Sequence, residues 1–507
     1  MRLRRTSNAL ALLLSLAVSL PVPAQSIALP DIGDPSQQYL SGSEGHRLGQ
    51  AALQEIRDHN LVIEDVQLNE YLASVGQTIA AYAQNDGYPF TYFWINGPTI
   101  NAFAAPGGFI GIYSGLLLTT QNEDELAGVI AHETAHVYQH HIARTFADAQ
   151  NLSIPVVAAM LAGAVLAAAS RSPVGSQLGQ AAMVGTMGAV AQHQINFTRA
   201  NEEEADRVGS QLLNQSGFDP NGMANFFARL ERLPGGLEAQ IPEFLRDHPI
   251  PRHRIAETQD RQPRSPAPRL QRDKLAYNLA KVRMQVLTTT NTTDLIRQFE
   301  TALAKGDYAD ETAGRYGYAL ALKQAGRYDE AQQQIDRLRK AKPDNLAFRL
   351  EEAEIALAKG DKTQAWRLFN DASRLYPDDY ILAMHYGYAL STQGDPHQAM
   401  QLLQPFLRRR PSDVSLYATY AQAAQRAGDI TTTHATLAEY YYLNGELPQA
   451  IEQAQLGLNK SGATPYQQAQ LHARLRQYKA ELTAWCNDTK LAPDEILRAC
   501  REKAYKD

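Results

Sequence analysis

The chain has 507 residues, long for one domain, so two or three units are expected. Lys+Arg 48 against Asp+Glu 54 gives a formal net charge of -6, which argues against a nucleic-acid-binding surface. With only Cys486 and Cys500, both near the end, a disulfide-built core is excluded, although in an oxidising compartment the pair could staple the C-terminal segment.

Arg2, Arg4 and Arg5 precede an apolar run at 9–20, and Val22-Pro23-Ala24 offers small residues for cleavage. Residues 1–24 therefore read as a secretory signal peptide, which implies export, and the two-cysteine usage suits the periplasm; loss of its three arginines takes the net charge from -6 to -9. No cysteine lies near the cut to carry a lipid anchor. A polar, turn-rich tether follows at 25–45, then two helical segments between 43 and 83. Stretches 88–94, 99–103 and 109–113 read as strands, separated by Asn96-Gly97-Pro98 and Pro106-Gly107-Gly108. An exposed edge among them could accept an extended peptide as an added strand.

Residues 122–145, NEDELAGVIAHETAHVYQHHIART, carry the chemistry. Asn122 and Glu125 form a capping box ahead of apolar residues at helical spacing, and the helix is predicted from there. His132 and His136 lie four apart on one face, with Glu133 beside the first. Two imidazoles at that spacing grip a zinc ion, while the glutamate takes a proton from the attacking water without itself binding metal. The plain alternative is a surface helix that happens to carry histidines. His136 and His140 share the spacing, but Val137 would then stand where the base belongs, so the 132/136 pair is preferred. A catalytic zinc site needs a third protein ligand. Glu202, Glu203 and Glu204 are candidates that spacing alone does not separate, and three acids at a helix start also serve its dipole. Asp206 is placed to orient a ligand histidine through a hydrogen bond.

Between these motifs, 151–192 is unusually apolar. Its first run, 154–169, is 16 residues, short of the roughly 20 that span a bilayer. A lid over the site, a membrane contact or a buried helix pair all fit. After an amphipathic stretch at 218–233 comes Asp247-His248-Pro249-Ile250-Pro251-Arg252-His253-Arg254-Ile255, where Arg252 or Arg254 would stabilise an oxyanion or support the loop. The proline- and arginine-rich 259–272 reads as a linker, closing a first domain at 25–258.

The remainder, 273–507, repeats. Gly326, Gly360, Gly394 and Gly428 are spaced by 34 residues, as are Pro343, Pro377 and Pro411, and Ala331, Ala365 and Ala399. Small residues Ala319, Ala353, Gly387 and Ala421 keep the same period. This is the tetratricopeptide pattern, clearest over 312–447, and it predicts stacked helical hairpins with a long concave face. Tyr316, Tyr318, Tyr386, Tyr388, Tyr417 and Tyr420 fall in the first helices, some of them as packing residues. The fold class expected is α+β: a mostly helical, zincin-like peptidase domain with a small sheet, then an all-α solenoid.

HETAH, the downstream EEEAD, and NAFAAPGGFIGIYSGLL before the helix resemble the zinc endopeptidase family of the heat-shock protease HtpX and the CAAX prenyl endopeptidases. That resemblance implies Glu202 as the third zinc ligand, Asp206 as the family's aspartate, and His248 as a histidine able to occupy the metal's open position and hold the site shut. With a signal peptide before and repeats behind, the whole chain is similar to the periplasmic members of that family. They imply cleavage of misfolded or stalled outer-membrane β-barrel proteins, and help to the barrel assembly machinery and the lipopolysaccharide transport barrel; 151–192 matches the region that covers the active site in the family and includes spanning helices in its membrane-embedded members, so peripheral membrane contact there stays open beside the lid. The rival expectation is a repeat-based scaffold or chaperone whose peptidase domain is silent or tightly autoinhibited.

Overall fold

The computed structural model describes residues 42–83, 87–141, 199–231, 272–460 and 462–488, with isolated positions that include Ala162, Val165 and His248. The signal peptide, nearly all of 151–192, Arg252, Arg254, the linker up to 271 and the side chains of Cys486 and Cys500 lie outside the described residues.

The two segments expected before the sheet are α1 (Gly42–Asp58) and α2 (Val66–Ala80), the latter capped by Asp65, whose carboxylate accepts from the Leu68 N–H. Three strands follow: β1 (Thr91–Ile95), β2 (Ala102–Ala105) and β3 (Phe109–Tyr113), in the order β1-β3-β2. β3 pairs parallel with β1 and antiparallel with β2. The first two start three residues later than the sequence predicts. Ser114 Oγ bonds both the N–H and the carbonyl of Gly97, and the Asn101 side chain accepts from the Ala102 N–H, so residues 96–101 are held as a turn. At the next turn Gly107 has φ 75° and presses on α1, where a Cβ would lie 2.3 Å from the His46 Cα. Only glycine fits both demands.

After the short α3 (Ser114–Thr119) comes α4 (Glu123–Tyr138). Asn122 accepts from the Glu125 N–H as expected, but Glu125 returns its carboxylate to the Gln121 N–H and to Arg229, so the box is closed one residue early. The helix stops at Tyr138 rather than running to 145, because His140 takes a left-handed backbone, φ 53°. α5 (Arg199–Gln215) and α6 (Gly222–Glu231) both cross α4 on glycines. A Cβ on Gly209 would sit 3.2 Å from the His132 backbone nitrogen, and one on Gly128 only 2.5 Å from the Met223 nitrogen. Gly128→Val should push α6 off α4 and cost about 3 kcal/mol. A lowered thermal unfolding midpoint would register it.

Twelve helices in the described residues, from α7 (Lys274–Thr288) to α18 (Pro465–Asp488), stack as the repeat array. Gly326, Gly360 and Gly428 adopt positive φ after a first helix, as the pattern predicts. Gly394 does not: its φ is -116°, and it is small because a Cβ would meet Leu390 and Trp366. Gly387 is needed where two helices cross, with Leu403 2.8 Å from a Cβ placed there. Tyr316, Tyr386, Tyr417 and Tyr420 are buried packing residues, whereas Tyr388 is exposed.

The array grips the first domain. Tyr277, Ala280 and Met284 of α7 enter the same core as Leu126, Val129 and Ile130 of α4. Arg410 forks onto Glu70 at 2.6 and 2.7 Å while its guanidinium lies 3.8 Å from the centre of the Tyr380 ring. Arg283 forks onto Asp65 at 2.8 and 2.7 Å, and both side chains are nearly buried. Burial alone would raise the Asp65 carboxyl, but Arg283 outweighs it and holds it low. Arg283→Met would strand that charge, at a cost of about 3–5 kcal/mol, readable as a shift of the denaturant midpoint. Between the array and the first domain lies a cavity of about 1230 Å³, with Leu287, Leu320, Met384 and Tyr388 beside Lys323 and His385 in its wall.

Candidate metal centre

α4 supplies three functional groups within one and a half turns. Its helical spacing turns His132 and His136 to the same side, and the glycine crossing at 209 brings α5 close enough for Glu202 to face them. His248 reaches the same point from far along the chain. Ligating atoms of these four buried side chains all lie within 4.8 Å of one another.

The separations are specific. His132 Nε2 lies 3.1 Å from His136 Nε2, and each nitrogen is 3.5 Å from a Glu202 oxygen. His248 Nδ1 is 3.4 Å from His132 Nε2 and 3.1 Å from Glu202 Oε1. Four donors bonded at about 2.0–2.1 Å to a tetrahedral zinc ion would be separated by about 3.3 Å. The cluster therefore has the size and the nitrogen-oxygen donor set that zinc requires.

Charge tells the same story. Glu133, Glu202 and Asp206 are each at most 3% exposed, and three buried carboxylates demand compensating positive charge. Burial would lower His132, yet Asp206 and Glu202 outweigh it and push its imidazole up to about 10. Burial and the neighbouring His132 hold His136 well below the ordinary imidazole value. Burial would raise Glu202, but His248 and His132 hold it well below the carboxylate range. This is a pocket built to attract a cation.

Asp206 Oδ1 lies 3.1 Å from His132 Nδ1, the nitrogen turned away from the cluster. Glu133 follows His132 on the helix, and its Oε1 is 3.6 Å from His248 Nε2. His248 thus stands between the cluster and Glu133. Tyr92 reaches from β1 to bond Thr134 at 3.1 Å, tying the sheet to the helix one residue past Glu133. β2, an outer strand of the sheet, packs beside α4. The sequence assigns His141 no role and offers Glu204 only as one of three candidate third ligands. His141 Nδ1 is 3.0 Å from His136 Nδ1, and its Nε2 is 3.2 Å from Glu204 Oε2. The signal was present in the sequence as a histidine five residues past His136, but its meaning depends on the turn at His140.

The family model described as peptidase family M48 matches residues 66–262, and a tetratricopeptide repeat model matches 296–345 and 316–380. The beta-barrel assembly-enhancing protease of Escherichia coli (strain K12) is 33% identical over 347 residues, covering 68% of this chain and 70% of that one. The chain belongs to the beta-barrel assembly-enhancing protease family. A putative member from Vibrio cholerae is 37% identical over 332 residues, 65% of this chain and 67% of its own. The metalloprotease LoiP of Escherichia coli is 31% identical over 224 residues, 44% of this chain and 82% of its own. As a member of this family the chain is a zinc-dependent metalloendopeptidase of the periplasm. No helix among the described residues is long and apolar enough to cross a membrane.

Proposed function

We propose that His132, His136 and Glu202 hold zinc, that Glu133 is the general base, and that the enzyme cleaves misfolded or stalled outer-membrane β-barrel proteins. The single observation carrying this reading is the four-donor cluster with Glu133 beside it. When bound there, zinc acidifies a water and polarises the scissile carbonyl. Glu133, buried and one residue from a ligand, takes the proton from the attacking water and returns it to the leaving amine. Asp206 keeps His132 turned toward the cluster. β2 offers its backbone edge to an extended client, which aligns one peptide bond over the cluster.

His248 gives the proposal its second part. Its nitrogen completes four protein donors, so the arrangement is a shut site, opened only when His248 withdraws. A shut protease joined to a large cavity walled by the repeat array supports a dual role. The array holds barrel clients and assembly partners, the barrel assembly machinery and the lipopolysaccharide transport barrel among them, while cleavage falls on clients that linger. The exposed Tyr388 and Leu287 supply apolar surface for such binding.

The test is metal analysis combined with cleavage of an unfolded barrel protein by the full chain. One equivalent of zinc and chelator-sensitive cleavage are expected. Glu202→Ala should weaken zinc by more than the roughly 10–100-fold typical of losing an outer partner. Equal zinc occupancy in that variant would move the third ligand elsewhere.

A further inference from the structure

α5 carries four acids near its start, Glu202, Glu203, Glu204 and Asp206, of which Glu202 faces the cluster, Asp206 contacts His132 Nδ1 at 3.1 Å, and Glu204 contacts His141. We infer that His141 and Glu204 form a positioning relay that orients His136 for metal, the counterpart of what Asp206 does for His132. The inference rests on the zinc reading of the preceding section.

The geometry runs in one line. His136 turns Nε2 into the cluster, 3.1 Å from His132 Nε2, so its Nδ1 points out of it. That outward nitrogen meets His141 Nδ1 at 3.0 Å, with the two rings 5.0 Å apart and inclined by 73°. His141 is fully buried, and its far nitrogen reaches Glu204 Oε2 at 3.2 Å. The Glu204 side chain is one-third exposed, and its other oxygen lies 3.4 Å from Arg207 Nη2. The left-handed turn at His140, φ 53°, makes this possible, because a continuing helix would carry residue 141 away from residue 136 instead of folding it back underneath.

One assignment of protons satisfies every contact. With His136 Nε2 given to metal, its proton sits on Nδ1 and is donated to His141 Nδ1. The His141 proton then sits on Nε2 and is donated to the Glu204 carboxylate. Such a chain fixes the His136 tautomer and ring plane, and the carboxylate at its end increases the basicity of the ligand. A sequence carrying EEEAD thus spends two of its acids, at 204 and 206, on the two histidines, one through an intermediary and one directly.

The experiment measures zinc affinity of the full-length chain by competition with a chromogenic chelator. The visible spectrum of the cobalt-substituted protein reports ligand geometry, and the unfolding midpoint of the metal-free protein serves as a packing control. His141→Leu removes the acceptor and is expected to weaken zinc by about 10–100-fold, with an altered cobalt spectrum. His141→Asn puts an amide oxygen where Nδ1 stood, so it should recover affinity to within roughly threefold of the parent. Glu204→Gln should give an intermediate loss and add nothing further in the double variant with His141→Leu, as coupled groups require. Parent-like affinity in His141→Leu, or equal losses in the Leu and Asn variants, would overturn the relay. If His141→Leu does not fold, Glu204→Gln decides alone, because a partly exposed carboxylate is not needed for packing: an unchanged cobalt spectrum and zinc affinity there refute the relay. Failure of the parent to bind zinc would defeat the metal reading instead, so the two failures are distinguishable.

Discussion

Glu133→Gln is expected to retain zinc and to lose about 10²–10⁴-fold in kcat, the range that a positioned general base contributes. The substitution keeps shape and hydrogen-bonding capacity but removes the ability to take a proton. Glu133 is completely buried, so its carboxylate is not a surface charge with a separate task. It belongs to no pair of ligating atoms in the cluster, which is why metal should be unaffected. Zinc stoichiometry and cleavage of a labelled unfolded barrel protein, measured on the same preparation, separate the two properties. Cleavage within tenfold of the parent would mean that another group takes the proton. Loss of zinc together with activity would instead assign Glu133 to metal binding.

Periodic features were legible in the sequence because they repeat a single physical demand. The 34-residue spacing of Gly326, Gly360 and Gly428 reports turns that need positive φ, and the spacing of Ala331, Ala365 and Ala399 reports buried helix contacts. Likewise, a helix brings residues four apart to one side, so the pairing of His132 with His136 followed from local geometry alone. Gly394 breaks the reasoning in an instructive way. It keeps the period but serves close packing against Leu390 and Trp366 rather than a left-handed turn, and sequence spacing does not separate those causes.

What escaped the sequence depended on how elements meet. Glu202, Glu203 and Glu204 are equivalent as letters, and the approach of α5 to α4 through Gly209 distinguishes them. Resemblance to a family pointed to Glu202, and the geometry gives the physical reason. Helical periodicity continued past Tyr138 carries His141 away from His136. A single left-handed residue, His140, reversed that expectation. Strand starts shifted for a similar reason: Asn101 and Ser114 satisfy backbone groups of the turn with side chains, a choice that alternation of apolar residues does not encode.

His248→Ala is expected to raise cleavage of an unfolded barrel protein by about 10–100-fold, as follows if the shut form outnumbers the open one by a similar factor. His248 Nδ1 lies 3.1 and 3.2 Å from the two Glu202 oxygens and 3.4 Å from His132 Nε2, which is the fourth corner of the cluster. Its Nε2 lies 3.6 Å from Glu133 Oε1. One imidazole therefore fills the gap between the metal position and the base, and a water and a scissile carbonyl need that same gap. Glu202 and Glu133 also hold it there electrostatically: burial would lower the His248 imidazole, and the two carboxylates raise it instead. Removing the ring leaves His132, His136 and Glu202 to hold zinc, so metal content should persist while the site opens. A merely structural His248 makes the opposite forecast, with lowered unfolding midpoint and lowered cleavage in the alanine variant. His248→Phe sharpens the contrast, since it restores bulk without a donor atom. Under the plug reading it stays active or intermediate and cannot ligate; under the structural reading it recovers the parent's stability and its slow cleavage. The restraint then has a clear thermodynamic form. Under the plug reading, a client held by the repeat array would have to supply enough binding energy at β2 and the cluster to displace one histidine, and only clients that stay long enough would meet an open site.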